Sequence, residues 1–119
     1  MKTHKDLDAW KNSMELCKEI YWVTANFPSE EKFGLITQMR RAAVSIPSNI
    51  AEGAARNHKK EFIQFLYMAM GSLAELETQI IISQELDYLK PEQTDILNQK
   101  MMIINKRLQG LIHHLKEKE

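Results

Sequence analysis

The chain has 119 residues, of which 44% are hydrophobic and 27% are charged, and its formal net charge is zero. This length and apolar fraction are typical of one domain, residues 1–119, whose core needs no disulfide or metal for support. The only cysteine, Cys17, cannot form a disulfide within the chain. Zero net charge excludes a global attraction to nucleic acid or to an anionic membrane, so such affinity would need a local cluster of charge.

The sequence also bears on the compartment of the protein. It contains no run of about 18 apolar residues, which excludes a membrane-spanning helix at the sequence level. The first residues, MKTHKDLDAW, lack the basic segment and apolar stretch of a secretion signal. We therefore expect a cytoplasmic protein without a membrane partner.

Hydrophobic periodicity predicts four helices, over roughly residues 5–27, 30–56, 58–87 and 91–116. In the first helix, apolar residues recur at spacings of three and four, which predicts one buried face. Pro28 would end this helix, and Ser29 would cap the next segment. The predicted buried face of the first helix comprises Leu7, Trp10, Met14, Cys17 and Tyr21.

The second predicted helix contains a proline, Pro47, which removes a backbone hydrogen bond and costs about 3 kcal/mol in a helix interior. Two interpretations are open: the helix bends at Pro47 and continues, or it stops at Ile46 and restarts. The apolar spacing continues in phase across the proline, which favours a bend. The predicted buried face comprises Leu35, Met39, Ala42, Ile46 and Ile50.

The third and fourth helices have the clearest periodicity. Asn57 is the predicted cap of the third helix, and Pro91 occupies the first turn of the fourth, where proline is tolerated. Four periodic segments joined by short turns predict an all-α fold, an antiparallel up-and-down four-helix bundle whose second helix is kinked near Pro47. The predicted buried residues are Phe62, Leu66, Ala69, Leu73, Leu76, Ile80 and Ser83 in the third helix, and Leu97, Met101, Ile104, Leu108, Leu111 and Leu115 in the fourth.

The stretch RRAAVSIPSNIAEGAAR, residues 40–56, concentrates arginine in a chain whose basic residues are mostly lysine. The guanidinium group binds carboxylates and phosphates through a planar set of donors. One interpretation is structural: Arg41 or Arg56 pairs with Glu52, Glu75 or Glu77 and joins helices or subunits. The other is functional, in which a basic patch binds nucleic-acid phosphates. The residues of that predicted patch are Arg40, Arg41, Arg56, Lys59 and Lys60.

Several motifs together resemble those of a known family. The segments FGLITQMRRAAVSIPSNIAEGAAR, EFIQFL and GSLAELETQI follow one another in the chain. In this order they are similar to the signature of the 23S rRNA intervening-sequence proteins, a family of four-helix bundles. The likeness extends from DLDAWKNSMEL to ELDYL, and the family is also similar to the accessory protein of diversity-generating retroelements.

This resemblance implies a noncatalytic bacterial bundle that forms a ring-like homopentamer with a basic surface for RNA or DNA. Through the retroelement accessory protein it also implies a reverse transcriptase or another protein as a possible partner. On this chain, the family pattern adds a set of expected helix or subunit contacts to the arginines. They are Gln38, Ser45, Pro47, Asn49, Glu52, Gly53, Gly71, Ser72, Glu75 and Glu77.

Two alternative functions are compatible with the sequence. A small metal-independent ribonuclease would use Arg107 and His114, which are almost two helical turns apart and so share a face. A protein scaffold without nucleic acid would instead use an exposed aromatic anchor, for which Trp22 is the candidate. The histidines lack metal-ligand spacing and no phosphate-binding glycine loop occurs, so we predict neither a metal site nor a cofactor.

Overall fold

The structure, a computed structural model, describes residues 3–117. It contains four α-helices: α1 (Asp8–Thr24), α2 (Leu35–Ala55), α3 (Lys59–Glu85) and α4 (Pro91–Glu117). Short 3-10 turns, His4–Asp6 and Ser29–Glu31, precede α1 and α2. No strand occurs within the described range. The predicted all-α four-helix bundle is confirmed, while residues 1, 2, 118 and 119 of the predicted domain lie outside the described range.

The helices are arranged in a ring in which each packs against its neighbours in the chain and α4 returns to α1. Contacts between helices show their antiparallel direction. Arg107 near the end of α4 lies 3.5 Å from Asp8 at the start of α1, and Lys100 lies 3.9 Å from Glu15 further along. The bundle is 47 Å long. The start of α1, the end of α2, the start of α3 and the end of α4 therefore lie at one end of the bundle.

Predicted and observed cores agree best on α3 and α2. Every residue predicted to be buried on α3 is buried, and on α2 only Leu35 is partly exposed. On α4, Leu111 and Leu115 are half-buried, and Ile112 takes the last buried position. The buried apolar residues of all four helices form one continuous cluster.

The predicted buried face of α1 is wrong by one position. Met14 and Tyr21 are exposed, whereas Leu16 and Ile20 are completely buried. The buried face also contains Ser13, whose hydroxyl donates a hydrogen bond of 2.6 Å to the carbonyl of Ala9. A serine that bonds to the preceding turn can be buried without an unpaired polar group, which the apolar pattern alone does not reveal. The observed face comprises Ala9, Ser13, Leu16, Ile20, Val23 and Thr24.

The starts of α2 and α3 also differ from prediction. Neither Ser29 nor Asn57 caps a helix: the cap positions are Gly34 and His58, and neither makes a side-chain capping bond. Instead, the carboxylate of Glu31 accepts a hydrogen bond of 3.2 Å from the backbone N–H of Leu35. This carboxylate satisfies a free donor and interacts favourably with the helix dipole.

Helix α2 continues without interruption through the buried Pro47. The interpretation in which the helix stops at Ile46 is therefore wrong; a bend at Pro47 stays a prediction. Proline has no N–H, so the carbonyl of Ala43 lacks its usual helical partner. The thiol of Cys17 on α1 lies 3.0 Å from this carbonyl and donates to it. Burial raises the pKa of the Cys17 thiol to about 11, which keeps the S–H donor protonated.

Candidate nucleic-acid interface

Charge is distributed unevenly along the bundle, although the net charge is zero. We call the end formed by the start of α1, the end of α2, the start of α3 and the end of α4 the basic end. All four histidines of the chain lie there, beside several lysines and arginines and the carboxylates of Asp6, Asp8, Glu52, Glu61 and Glu117. The opposite end carries Glu30, Glu31, Glu85, Asp87, Glu92 and Asp95 against Lys32, Lys90 and Arg40, which bonds to the last residue of α1.

Three residues of the predicted patch lie together at the basic end, where α2 turns into α3. Arg56 forms an exposed ion pair of 3.2 Å with Glu52 one turn earlier, and its guanidinium lies 5.2 Å from the centre of the Phe65 ring. Lys59 and Lys60 have no ion-pair or hydrogen-bond partner for their side chains within residues 3–117. Their ammonium groups are thus available to an anion.

Arg40 lies elsewhere and holds two helices together. Its Nε donates to the hydroxyl of Thr24 at 3.0 Å, and its NH2 donates to the carbonyl of Tyr21 at 3.3 Å. The guanidinium also stacks 4.5 Å from the centre of the Tyr21 ring. A cation at the carbonyl end of α1 is favoured by the helix dipole. Arg40 therefore joins α2 to the end of α1.

Arg41 is exposed and has no side-chain partner in the described part of the chain. It lies on the groove between α1 and α2, beside Tyr21 and Val44. Arg41 and Arg56 are fifteen positions apart, which corresponds to about 22 Å along a helix. The structure thus divides the five predicted patch residues into two separate groups, Arg40 with Arg41 and Arg56 with the two lysines.

The polar residues in the middle of α2 bond to one another and to α3. The hydroxyls of Ser45 and Ser72 lie 2.8 Å apart across the two helices. The side-chain amide of Asn49 donates to both the carbonyl and the hydroxyl of Ser45, at 2.9 and 3.0 Å. These hydrogen bonds fix the rotation of α2 relative to α3.

Gly53 lies where α2 and α3 approach each other closely. A Cβ at this position would lie 2.6 Å from the Cβ of Phe65 and 3.0 Å from a ring carbon of Phe62. These distances are too short for any side chain. Gly71, the other glycine of the family pattern, faces open space instead.

The predicted acidic contact residues have different surroundings. Glu52 pairs with Arg56, and Glu75 accepts a hydrogen bond of 3.3 Å from the amide of Gln79. Glu77 and Gln38 are exposed and make no side-chain bond to residues 3–117. No bond therefore joins Arg41 to Glu75 or Glu77 within one copy of the chain.

A recess at the basic end contains residues that the sequence analysis missed. It has a volume of about 420 Å³, lies between the start of α3 and the end of α4, and is lined by Lys60, Glu61, Ile63, Gln64 and Lys116. Beside it, the hydroxyl of Tyr67 accepts a hydrogen bond of 2.9 Å from the ammonium of Lys116. These two residues are 49 positions apart in sequence, so no local pattern could have paired them.

The two residues of the ribonuclease alternative, Arg107 and His114, have different surroundings. Arg107 pairs with Asp8, and His113 bonds to Glu117 at 2.8 Å, while the neighbouring His114 is exposed. Within residues 3–117, no group of three potential metal ligands occurs, and no helix is long and apolar enough to cross a membrane.

Two grooves on opposite sides of the bundle expose apolar side chains. The groove between α1 and α2 is lined by Tyr21 and Val44, and further along by Met14, Cys17 and Pro47. The groove between α3 and α4 is lined by residues that include Ile81 and Met102, whose exposed fractions are 52% and 57%. Trp22, the predicted aromatic anchor, is 63% exposed on α1.

The sequence of this bundle matches a known family. A profile described as 23S rRNA-intervening sequence protein covers residues 5–110. The chain belongs to this family. Among curated proteins, none matches the chain.

A similar solved structure supports this placement in the 23S rRNA-intervening sequence protein family. It is the crystal structure of a protein with unknown function from the S23 ribosomal protein family of Bacteroides thetaiotaomicron VPI-5482. The two chains are 26% identical, with a TM-score of 0.81 over 88% of this chain and 95% of that one. Neither description names an enzymatic activity.

The family match includes the whole arginine-containing stretch and the turn into α3. It ends at residue 110, before Lys116. The recess at the basic end therefore combines a part of the chain inside the 23S rRNA-intervening sequence family match with one outside it.

Proposed function

We propose that this protein is a noncatalytic, self-associating helical bundle that binds RNA or DNA through its basic end as an accessory factor. The observation that carries this proposal is the group formed by Arg56, Lys59 and Lys60. Two of these cations have no described partner, and the third has one exposed pair that salt or phosphate can displace. The family name, which refers to an interruption of 23S rRNA, is compatible with RNA as the ligand.

The zero net charge makes the arrangement of charge more important than its amount. A polyanion that approaches the basic end meets lysines, two arginines and histidines interspersed with the five carboxylates named above, while the acidic end is up to 47 Å away. At this distance the opposing charges are screened, because the Debye length is about 8 Å at physiological ionic strength. The basic end can therefore attract phosphates despite overall neutrality.

The direct test is the salt dependence of nucleic-acid binding. A labelled mixed-sequence RNA should bind with an affinity that falls steeply as salt rises, because counterions are released from the phosphates. Replacing Lys59 and Lys60 with alanine should reduce the slope of log K against log salt by about 1.4 for a single strand. The matched control replaces Lys32 and Lys90 at the acidic end, which should leave the slope unchanged. Equal effects of the two double variants would contradict the proposal.

Self-association is supported by the two exposed apolar grooves. Monomeric proteins seldom expose large continuous apolar patches. Because the grooves lie on opposite sides, one copy would present its α3–α4 groove to the α1–α2 groove of the next. Such heterologous contacts form a ring when the rotation from copy to copy closes. The exposed Arg41 on one groove and Glu77 on the other have opposite charges. The number of five subunits is an expectation from the family resemblance.

Light scattering after size-exclusion chromatography tests this assembly. Val44→Lys and Met102→Lys should each dissociate the oligomer, since each places a charge in a different groove. Gln109→Lys, at an exposed polar position, is the control. If only one of the two groove variants dissociates the oligomer, the contact uses the same groove on both copies, and the head-to-tail arrangement is wrong.

The same grooves also favour a second candidate, an assembly scaffold that binds a protein partner, such as a reverse transcriptase, without nucleic acid. An oligomer that shows no salt-dependent RNA or DNA binding under the conditions above would favour this second function.

A further inference from the structure

We propose that the recess between the start of α3 and the end of α4 binds one nucleotide of a single-stranded nucleic acid, with Tyr67 as the stacking surface for its base. This inference rests on the proposed function and specifies the kind of nucleic acid. It depends on residues that the predicted basic patch did not contain: Gln64, Tyr67 and Lys116.

The size and charge of the recess fit a nucleotide. Its volume of about 420 Å³ lies within the usual range for small-ligand sites, about 300 to 1,000 Å³. Lys60 and Lys116 line it from two different helices, and Lys59 and Arg56 continue the positive surface towards the turn between α2 and α3. A phosphate chain can therefore run from this turn to the recess with cations along its path.

Tyr67 has the properties of a stacking surface. Its side chain is about half exposed, with a value of 48%. Its hydroxyl accepts the hydrogen bond from Lys116, and the ammonium lies 5.4 Å from the centre of the ring. This bond restrains the ring while part of it stays open to solvent. A base stacked on such an aromatic ring contributes binding without regard to sequence.

The polar lining can recognise the rest of a nucleotide. The exposed amide of Gln64 has both donors and acceptors for a base edge. Glu61 is the one carboxylate of the lining; it repels a phosphate placed beside it but can accept a hydrogen bond from a ribose hydroxyl or a base amino group. We therefore assign the phosphate to the two lysines and the base to Tyr67 and Gln64.

This geometry distinguishes single strands from duplexes. The bases of a duplex are stacked on one another and cannot reach an aromatic side chain, whereas the bases of a single strand can. Tyr67 should consequently contribute to the binding of a single strand and not to the binding of a duplex, while the lysines contribute to both.

The experiment measures fluorescence anisotropy with a labelled 12-nucleotide RNA and with a duplex of the same length. Tyr67→Ala should weaken binding of the single strand by about 5- to 100-fold and change duplex binding less than twofold. Tyr67→Phe, which keeps the ring, should stay within about twofold of the wild type on both ligands. Circular dichroism and thermal unfolding would show that the variants are folded.

Lys116→Gln gives an independent measurement. It should reduce the salt slope for the single strand by about 0.7, the value for one phosphate contact. The inference is overturned if Tyr67→Ala leaves single-strand binding unchanged or weakens both ligands equally, or if a poly-glutamate peptide of equal charge competes as well as RNA.

The outcomes separate this inference from the proposed function. If the wild type binds both ligands in a salt-dependent way but Tyr67→Ala has no effect, the basic end binds phosphates and the recess is not a nucleotide site. If the wild type binds neither ligand, both proposals are wrong.

Discussion

The contacts of α2 with its neighbouring helices and the surface of the basic end use the same types of side chain in opposite ways. Within α2 and at its contacts with α1 and α3, Arg40, Ser45 and Asn49 bond to backbone and side-chain groups of their own bundle. At the basic end, the side chains of Lys59 and Lys60 have no bonding partner within residues 3–117, and Arg56 has an exposed pair with Glu52 and a contact with the Phe65 ring. In this part of the molecule, the partners of a polar side chain, and not its residue type, decide whether it stabilises the fold or is available to a ligand.

This comparison predicts that substitutions at the helix contacts of α2 change stability, whereas substitutions of the exposed cations at the basic end change binding. The largest effect is expected at Gly53. Gly53→Ala should destabilise the bundle by about 1 to 3 kcal/mol, because its Cβ would overlap with Phe65. Gly71→Ala is the matched control, since its Cβ would meet nothing within 4 Å. It should stabilise α3 by about 0.5 to 1 kcal/mol.

Chemical denaturation of the two glycine variants would check this prediction. Equal changes in the free energy of unfolding at the two positions would mean that the close approach of α2 and α3 is not limiting.

The next largest effect is expected at Arg40. Arg40→Ala should lower the free energy of unfolding by about 1 to 2 kcal/mol, because it removes hydrogen bonds from a charged donor to Thr24 and to the end of α1. Its neighbour Arg41 is exposed and has no side-chain partner among residues 3–117, and Arg41→Ala should stay within about 0.5 kcal/mol of the wild type. Urea titrations of both variants measure the difference. An inverted order would contradict the assignment of Arg40 to the fold.

A smaller effect is expected at Cys17, whose thiol donates to the carbonyl that Pro47 leaves unpaired. Cys17→Ala should destabilise the bundle by about 1 kcal/mol. In a Pro47→Ala background, the backbone N–H that the substitution supplies at position 47 can bond to Ala43, so removal of the thiol should have a smaller effect. A double-mutant cycle measures this coupling. Strict additivity would show that the thiol does not serve this carbonyl.

The Cys17 thiol should also make the stability of the bundle depend on pH in the alkaline range. Burial raises the pKa of Cys17 to about 11 from an ordinary value of 9.0, so the folded state holds the proton more tightly than the unfolded state. The thiol's contribution to stability is complete below pH 9 and is lost as the pH rises towards 11. Unfolding of the wild type and of Cys17→Ala at several pH values isolates this contribution, which should be absent in the variant.

The fold could be predicted from the sequence where burial follows hydrophobicity. On α3, every predicted core residue is buried, because a spacing of three and four leaves few alternatives. On α1, two apolar stripes lie side by side, and the buried one includes Ser13 and Thr24, whose hydroxyls bond to the preceding turn. A pattern that counts serine and threonine as polar selects the wrong stripe.

The candidate site could be predicted only in part. Lys59 and Lys60 are adjacent in sequence, so their cluster is visible before folding. The separation of Arg41 from Arg56 follows from the length of α2, which the sequence also contains. The pairing of Tyr67 with Lys116 depends on the contact between the start of α3 and the end of α4, and no local pattern carries that information.

Photo-crosslinking of the wild-type protein to a short single-stranded RNA, followed by mass spectrometry of the cross-linked peptides, shows directly where a nucleic acid binds. We expect cross-links in peptides that contain residues 56–67 and 113–117, with Tyr67 as the main site. Cross-links confined to the groove between α1 and α2, around Tyr21 and Arg41, would contradict the assignment of binding to the basic end.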